Sequence, residues 1–142
     1  MRLVIICSFV FLSVGFAIGQ GRASLNVAVQ AKNNQQKGKV VVLLFKQSKG
    51  FPKEVGKAYK TKTIENFPKV SSVNFDDLPF GKYAVAIFWD KNRNGIIDSN
   101  FIGMPKESIG ASNMKKLGRP SFSKSAFQVN QSEQKITVKF LN

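Results

Sequence analysis

Between Asp90 and Asp98 the chain reads Asp90-Lys91-Asn92-Arg93-Asn94-Gly95-Ile96-Ile97-Asp98. Oxygen-bearing side chains stand at positions 1, 3, 5 and 9 of this run, glycine at 6 and an apolar residue at 8. A hard cation such as calcium takes six to eight oxygens, so a chain curling round it needs alternate side chains turned inward, a sharp turn, and a backbone carbonyl at position 7, here Ile96. Asp90, Asn92, Asn94, Ile96 and Asp98 are therefore the candidate calcium ligands. The pattern departs from an EF-hand, because position 12 is Phe101 rather than a bidentate glutamate and the run follows a strand-like segment instead of a helix. Two carboxylates and two amides neutralise the ion poorly, and Glu107 completes the shell if the chain doubles back. The competing reading is a metal-free turn in which Asp and Asn side chains bond the nearby backbone while Gly95 takes a positive φ. Both readings require Gly95.

Other residue types narrow the chemistry. The chain has no histidine, which excludes a His-based triad, a His-ligated zinc and an imidazole proton shuttle. Its single cysteine, Cys7, lies in the apolar N-terminal run, so a processed chain would carry no thiol and no disulfide. An enzyme is not expected on these grounds. The alternative of a small hydrolase would have to draw on acids such as Asp90, Asp98 and Glu107, with Asp76 and Asp77 further off. Tyr83 and Trp89 have strand spacing on one face, which favours a place in the core over a stacking platform for a ligand.

Charge points to a second kind of partner. Twenty-two basic residues against eight acidic ones give +14, or +13 once Arg2 leaves with the signal. Six lysines, Lys46, Lys49, Lys53, Lys57, Lys60 and Lys62, form the densest cluster, and Lys115, Lys116 and Arg119 a smaller one. Such a field attracts anionic polysaccharide or lipid head groups in a salt-dependent way, without specific nucleic-acid recognition. Scattered lysines that merely keep a domain soluble are the plainer reading.

The elements that must hold these residues are mostly strands. Arg2 followed by the apolar run Leu3–Ile18 and the Ala17-Ile18-Gly19 triplet reads as a signal peptide over residues 1–19, leaving residues 20–142 as one domain with no membrane span after cleavage. Leu25, Val27 and Val29 alternate with Asn26, Ala28 and Gln30 as a half-buried strand. The continuous run Val40–Phe45 predicts a strand covered on both faces. Residues 47–62 read as a long loop pinned by Phe51, residues 70–75 as a strand, and Asp76–Gly81 as a tight turn. Tyr83–Trp89 is the strongest strand signal, and residues 90–121 are too polar and interrupted for a regular element of any length. Two closing strands hold Phe127 with Val129 and Ile136 with Val138 and Phe140, joined through Asn130–Glu133. The expected architecture is all-β, a single antiparallel sandwich of about seven strands.

Several spaced motifs then occur in order: Leu78-Pro79-x-Gly81-x-Tyr83-Ala84-Val85, Asp90-x-Asn92-x-Asn94-Gly95-x-x-Asp98-x-Asn100, Gly103-x-Pro105-x-Glu107, Gly110-x-Ser112 and Gly118-x-Pro120-x-Phe122. In these the chain resembles the domain of unknown function 2141 family of exported bacterial proteins. The resemblance implies an immunoglobulin-like or prealbumin-like sandwich, export, and an Asp/Asn/Gly loop in which Gly81, Gly95 and Asn100 are structural, with no catalytic residues to carry over. The stretch Asp77–Tyr83 also looks like the turn-and-strand signature of regulatory-like sandwich domains appended to carboxypeptidases and outer-membrane receptors, an analogy of fold alone. Together these readings predict a periplasmic or extracellular, non-enzymatic binding or structural module of the cell envelope with a calcium-binding loop. The alternatives are a basic surface protein that binds anionic glycans or membranes, and the small hydrolase.

Overall fold

A computed structural model describes residues 21–31, 37–115 and 118–141. The signal segment and Lys116 lie outside the described residues. Eight strands form two sheets: β1 Arg22–Gln30, β2 Lys39–Phe45, β3 Lys60–Glu65, β4 Val70–Pro79, β5 Gly81–Asp90, β6 Ile109–Ala111, β7 Phe127–Val129 and β8 Glu133–Lys139. One sheet has the order β4-β1-β8 and the other β3-β2-β5-β6, with β7 pairing the first residues of β5. The chain is thus a β-sandwich, with a 3-10 turn at Val55–Lys57 and the short helix α1 at Phe122–Ser125 as its helical elements among the described residues.

Alternation decides the core. Leu25, Val27 and Val29 of β1, Phe75 and Leu78 of β4 and Val138 of β8 meet Val40, Val42 and Leu44 of β2 and Tyr83, Val85 and Ile87 of β5 between the sheets. The odd-numbered residues of β2 and the even-numbered ones of β5 (Val41, Leu43, Phe45, Ala86 and Phe88) face the other way and are buried as well. They are covered by connections rather than by a third sheet: Phe51, Val55, Ala58, Ile97, Ile109 and Phe122 pack over them. That double covering is why Val40–Phe45 carries no polar residue. Phe51 does pin its loop, edge-on to Phe45 with centroids 5.2 Å apart.

Three expectations are corrected. The sandwich is not antiparallel throughout, since β1 and β8 run parallel in the register Val27↔Ile136 and Val29↔Val138. The two closing strands go to different sheets, β7 joining β5 while β8 crosses to β1. Residues 60–62 belong to an edge strand, β3, whose lysine–threonine alternation hides its one buried residue, Ile64, from a hydrophobic pattern. Asp76 and Asp77 are not a turn but a bulge inside β4, where pairing with β1 slips between Ala23↔Leu78 and Leu25↔Phe75 and Asp77 takes φ 56°. The reversal comes later, at Phe80, and Gly81 opens β5 opposite Val129.

Candidate functional site

Strand β5 delivers Asp90 to the end of the central pair, directly across from Lys39 of β2. Asp90 is fully buried, and Lys39 Nζ stands 3.6 Å from its Oδ2. The carboxylate organises the loop that follows. Its Oδ1 accepts the Asn94 N–H at 3.0 Å and its Oδ2 the Gly95 N–H at 2.8 Å. Asn92 Oδ1 accepts the Asn94 N–H at 3.2 Å, and Asn94 Oδ1 accepts the Ile96 N–H at 3.0 Å. These side-chain to backbone bonds curl the chain so that Gly95 must sit at φ 79°, a conformation that a Cβ would strain. Arg93, at φ 62°, ties the outside of the curl to Glu65 at 2.7 Å and to the Gly38 carbonyl at 3.2 Å.

The chain does double back. Ser99 and Pro105 form an antiparallel bridge, and the Lys106 N–H donates to the Asp98 carbonyl at 2.8 Å. This returns Glu107 to the loop as a buried side chain. Its Oε1 accepts the Lys91 N–H at 3.0 Å and its Oε2 faces the Asp98 N–H at 3.4 Å. Burial pushes the Glu107 carboxyl above its ordinary value, the two backbone donors pull it down, and the neighbouring Asp90 and Asp98 charges raise it again. Asp98 receives the side-chain amides instead: Asn92 Nδ2 at 2.7 Å, and Asn94 Nδ2 at 3.2 Å to Oδ1 and 3.3 Å to Oδ2.

The four side chains singled out by spacing, Asp90, Asn92, Asn94 and Asp98, are therefore gathered in one place with Glu107, while the Ile96 side chain is turned outward and its N–H is used within the curl. As they stand they make the hydrogen-bonded turn, and among the described residues no group of three or more acidic side chains draws together as a ready metal cage. The donor types, carboxylate and amide oxygens, are those a hard cation takes. Half-turns of the Asn92 and Asn94 amides exchange their nitrogens for oxygens beside Asp98, and the Asp90 and Glu107 oxygens, each accepting one N–H, keep a lone pair free. Those half-turns give up the bonds that the two amide oxygens make to Asn94 and Ile96, while Asp90 still holds Asn94. Asn100 is structural in a second turn: its Oδ1 accepts the Ile102 and Met104 N–H groups at 3.2 and 2.8 Å.

The lysine cluster does not share one face. Lys46 lies over the Tyr59 ring, 4.7 Å from its centroid, and Lys60 bonds the Asp76 carbonyl of the other sheet. Lys60 and Lys62 share a face of β3 with Ile64, which packs between the sheets, and so point away from the connection that carries Lys49, Lys53 and Lys57. Lys53 reaches the Gly103 carbonyl at 3.1 Å, joining that connection to the loop after Asp98. Tyr83 is a core residue whose hydroxyl donates to the Pro79 carbonyl at 2.7 Å, and burial raises its pKa. Trp89 is half-buried and donates to the Lys37 carbonyl at 2.8 Å, with Lys91 over its ring.

Two residues of the site escape sequence reasoning. Lys39 becomes the counter-charge of Asp90 only through the β2–β5 register. Ser112 accepts the Val85 N–H at 2.9 Å and donates to the Ser125 carbonyl at 2.6 Å, fastening β6 to β5 and α1, and its sole trace in the chain is the Gly110-x-Ser112 spacing. No curated protein and no solved structure matches the chain. A family model does match, over residues 27–137, which takes in strands β2 to β7, parts of β1 and β8, and the whole Asp90–Glu107 loop. The chain belongs to the domain of unknown function 2141 family, described as an uncharacterized protein conserved in bacteria.

Proposed function

We propose that the protein is an exported, non-enzymatic binding or structural module of the bacterial envelope, in which calcium locks the Asp90–Glu107 loop onto the end of the central strand pair. The observation that carries this reading is the return of the buried Glu107 to a curl already lined by Asp90, Asn92, Asn94 and Asp98. Burial is the main cause of the raised Glu107 pKa, with the Asp90 and Asp98 charges adding to it, and a divalent cation would offset both more fully than the neighbouring Lys39. The non-enzymatic part is supported by residue types, with no histidine in the chain and with Asp90 and Glu107 engaged by the loop's own backbone. Export is supported by the charged, apolar and small-residue order of the first nineteen residues.

Calorimetric titration with calcium, paired with melting in calcium and in chelator, tests the metal. Loops of this kind in extracellular modules hold calcium with dissociation constants on the order of 0.1–1 mM. At a hundredfold excess over such a constant the ion stabilises the fold by about 2.7 kcal/mol. Asp98→Asn should weaken that response. No heat and no change in melting temperature would leave a metal-free turn and remove calcium from the proposal.

A further inference from the structure

The connection between β5 and β6 ends in an apolar tip. Phe101 is 100% exposed, Ile102 65%, Met104 59% and the nearby Ile96 56%. Apolar residues scattered singly over a surface need no explanation, but four within nine positions, including a phenylalanine with no neighbour over it, form a patch of the kind that marks an interaction site. The side chains cannot fold back, because the backbone beneath them is closed. The Asn100 N–H donates to the Met104 carbonyl at 2.8 Å and the Gly103 N–H to the Asn100 carbonyl at 2.9 Å. Asn100 Oδ1 holds the Ile102 and Met104 N–H groups, and the Ser99–Pro105 bridge closes the stem.

Lysines stand beside this tip, with one exposed acid, Glu54, next to Lys53. Lys53 donates to the Gly103 carbonyl at 3.1 Å, Lys49 and Lys57 are exposed on the same connection as Lys53, and Lys106 is exposed just past Pro105. The acids nearest in the chain face inward: Asp98 is half-buried under the two asparagine amides and Glu107 is buried against backbone N–H groups. A bilayer with anionic head groups matches both layers, taking the apolar side chains at the head-group boundary and the lysines at the phosphates. The charge of +14 over the whole chain favours approach to such a surface.

We infer that Phe101, Ile102 and Met104 insert into an anionic phospholipid bilayer while Lys53 and Lys106 bind its phosphates. Pre-closure by Asn100 means that little ordering accompanies insertion. This depends on the exposed tip and its lysines, not on calcium in the Asp90 loop, so either can fail without the other.

Co-sedimentation of the whole chain with phosphatidylcholine vesicles, with and without phosphatidylglycerol, tests it in calcium buffer and in chelator. Binding should need the anionic lipid. The triple variant Phe101→Ser, Ile102→Ser, Met104→Ser should partition about tenfold more weakly or worse, since each buried methylene adds to membrane affinity. Its melting temperature should change little, because none of the three side chains belongs to either buried cluster. In Phe101→Trp, emission from the introduced indole should shift to shorter wavelength on phosphatidylglycerol vesicles and become shielded from iodide. Vesicle binding that survives the triple variant, or an introduced indole whose emission ignores vesicles, would show lysine contact without insertion and overturn the proposal. So would a wild-type dimer, indifferent to lipid, that the triple variant converts to monomer in sedimentation velocity.

Discussion

Glu107 is the residue on which the loop's charge balance turns. In the metal-free loop burial is the leading cause of its raised pKa, with Asp90 and Asp98 adding to it and the Lys91 and Asp98 N–H groups opposing it. The folded chain therefore favours the protonated form relative to the unfolded chain. Its contribution to stability is full below the ordinary glutamate value and is lost as pH rises through the higher folded value. In chelator, the wild type should gain stability relative to Glu107→Gln as the pH falls from neutral into that range, read from urea midpoints at each pH. With calcium present the trend should reverse, because protons then compete with the metal for the same oxygens. Spacing alone showed Asp90, Asn92, Asn94, Gly95 and Asp98 as one loop, since the period of inward-turned side chains is written locally. Lys39 was invisible at this scale, because it faces Asp90 only by pairing across strands far apart in the chain.

Among the elements, β6 has only three residues and is tightly constrained. It pairs with β5 through Ala86↔Ala111 and Ile87↔Gly110, and Gly110 also bridges Phe140 beyond β8, so it touches both sheets at once. A Cβ at Gly110 would lie 2.2 Å from the Lys139 carbonyl oxygen and 2.9 Å from Ile87 Cγ1. Backbone on one side and a packed core on the other leave no easy way to yield. Gly110→Ala should cost about 1–3 kcal/mol, seen as a lower urea midpoint with an unchanged slope. Strands with strict alternation or unbroken apolar runs, β1, β2, β5 and β8, were legible because one or both faces are buried. The edge strand β3 was not: Lys60, Thr61, Lys62 and Thr63 resemble a solvated loop, and only pairing with β2 extends them. The bulge at Asp76 and Asp77 was read as a turn for a similar reason, as local composition favours positive φ without saying whether pairing resumes afterwards.

For the molecule as a whole, charge and topology act together. A chain of +14 repels itself when compact, while its surface ion pairs, such as Arg93 with Glu65, are exposed and weak. Raising sodium chloride from low to physiological strength should therefore raise the melting temperature by a few degrees, measured calorimetrically; a fall would mean that attractive pairs dominate. The parallel pairing of β1 with β8 joins the first described strand to the last. Local pattern suffices for a strand-built sandwich, for the burial of β1, β2, β5 and β8, and for the curl from Asp90 to Asp98, because alternation, apolar runs and turn chemistry act over a few residues. Tertiary structure alone decided that β7 and β8 part to different sheets and that Lys39 faces Asp90. It also closed Glu107 over the loop and left Phe101 bare at a stiffened tip beside Lys53. Each of these depends on which distant backbones hydrogen-bond to one another, and strand register carries no local mark in the chain.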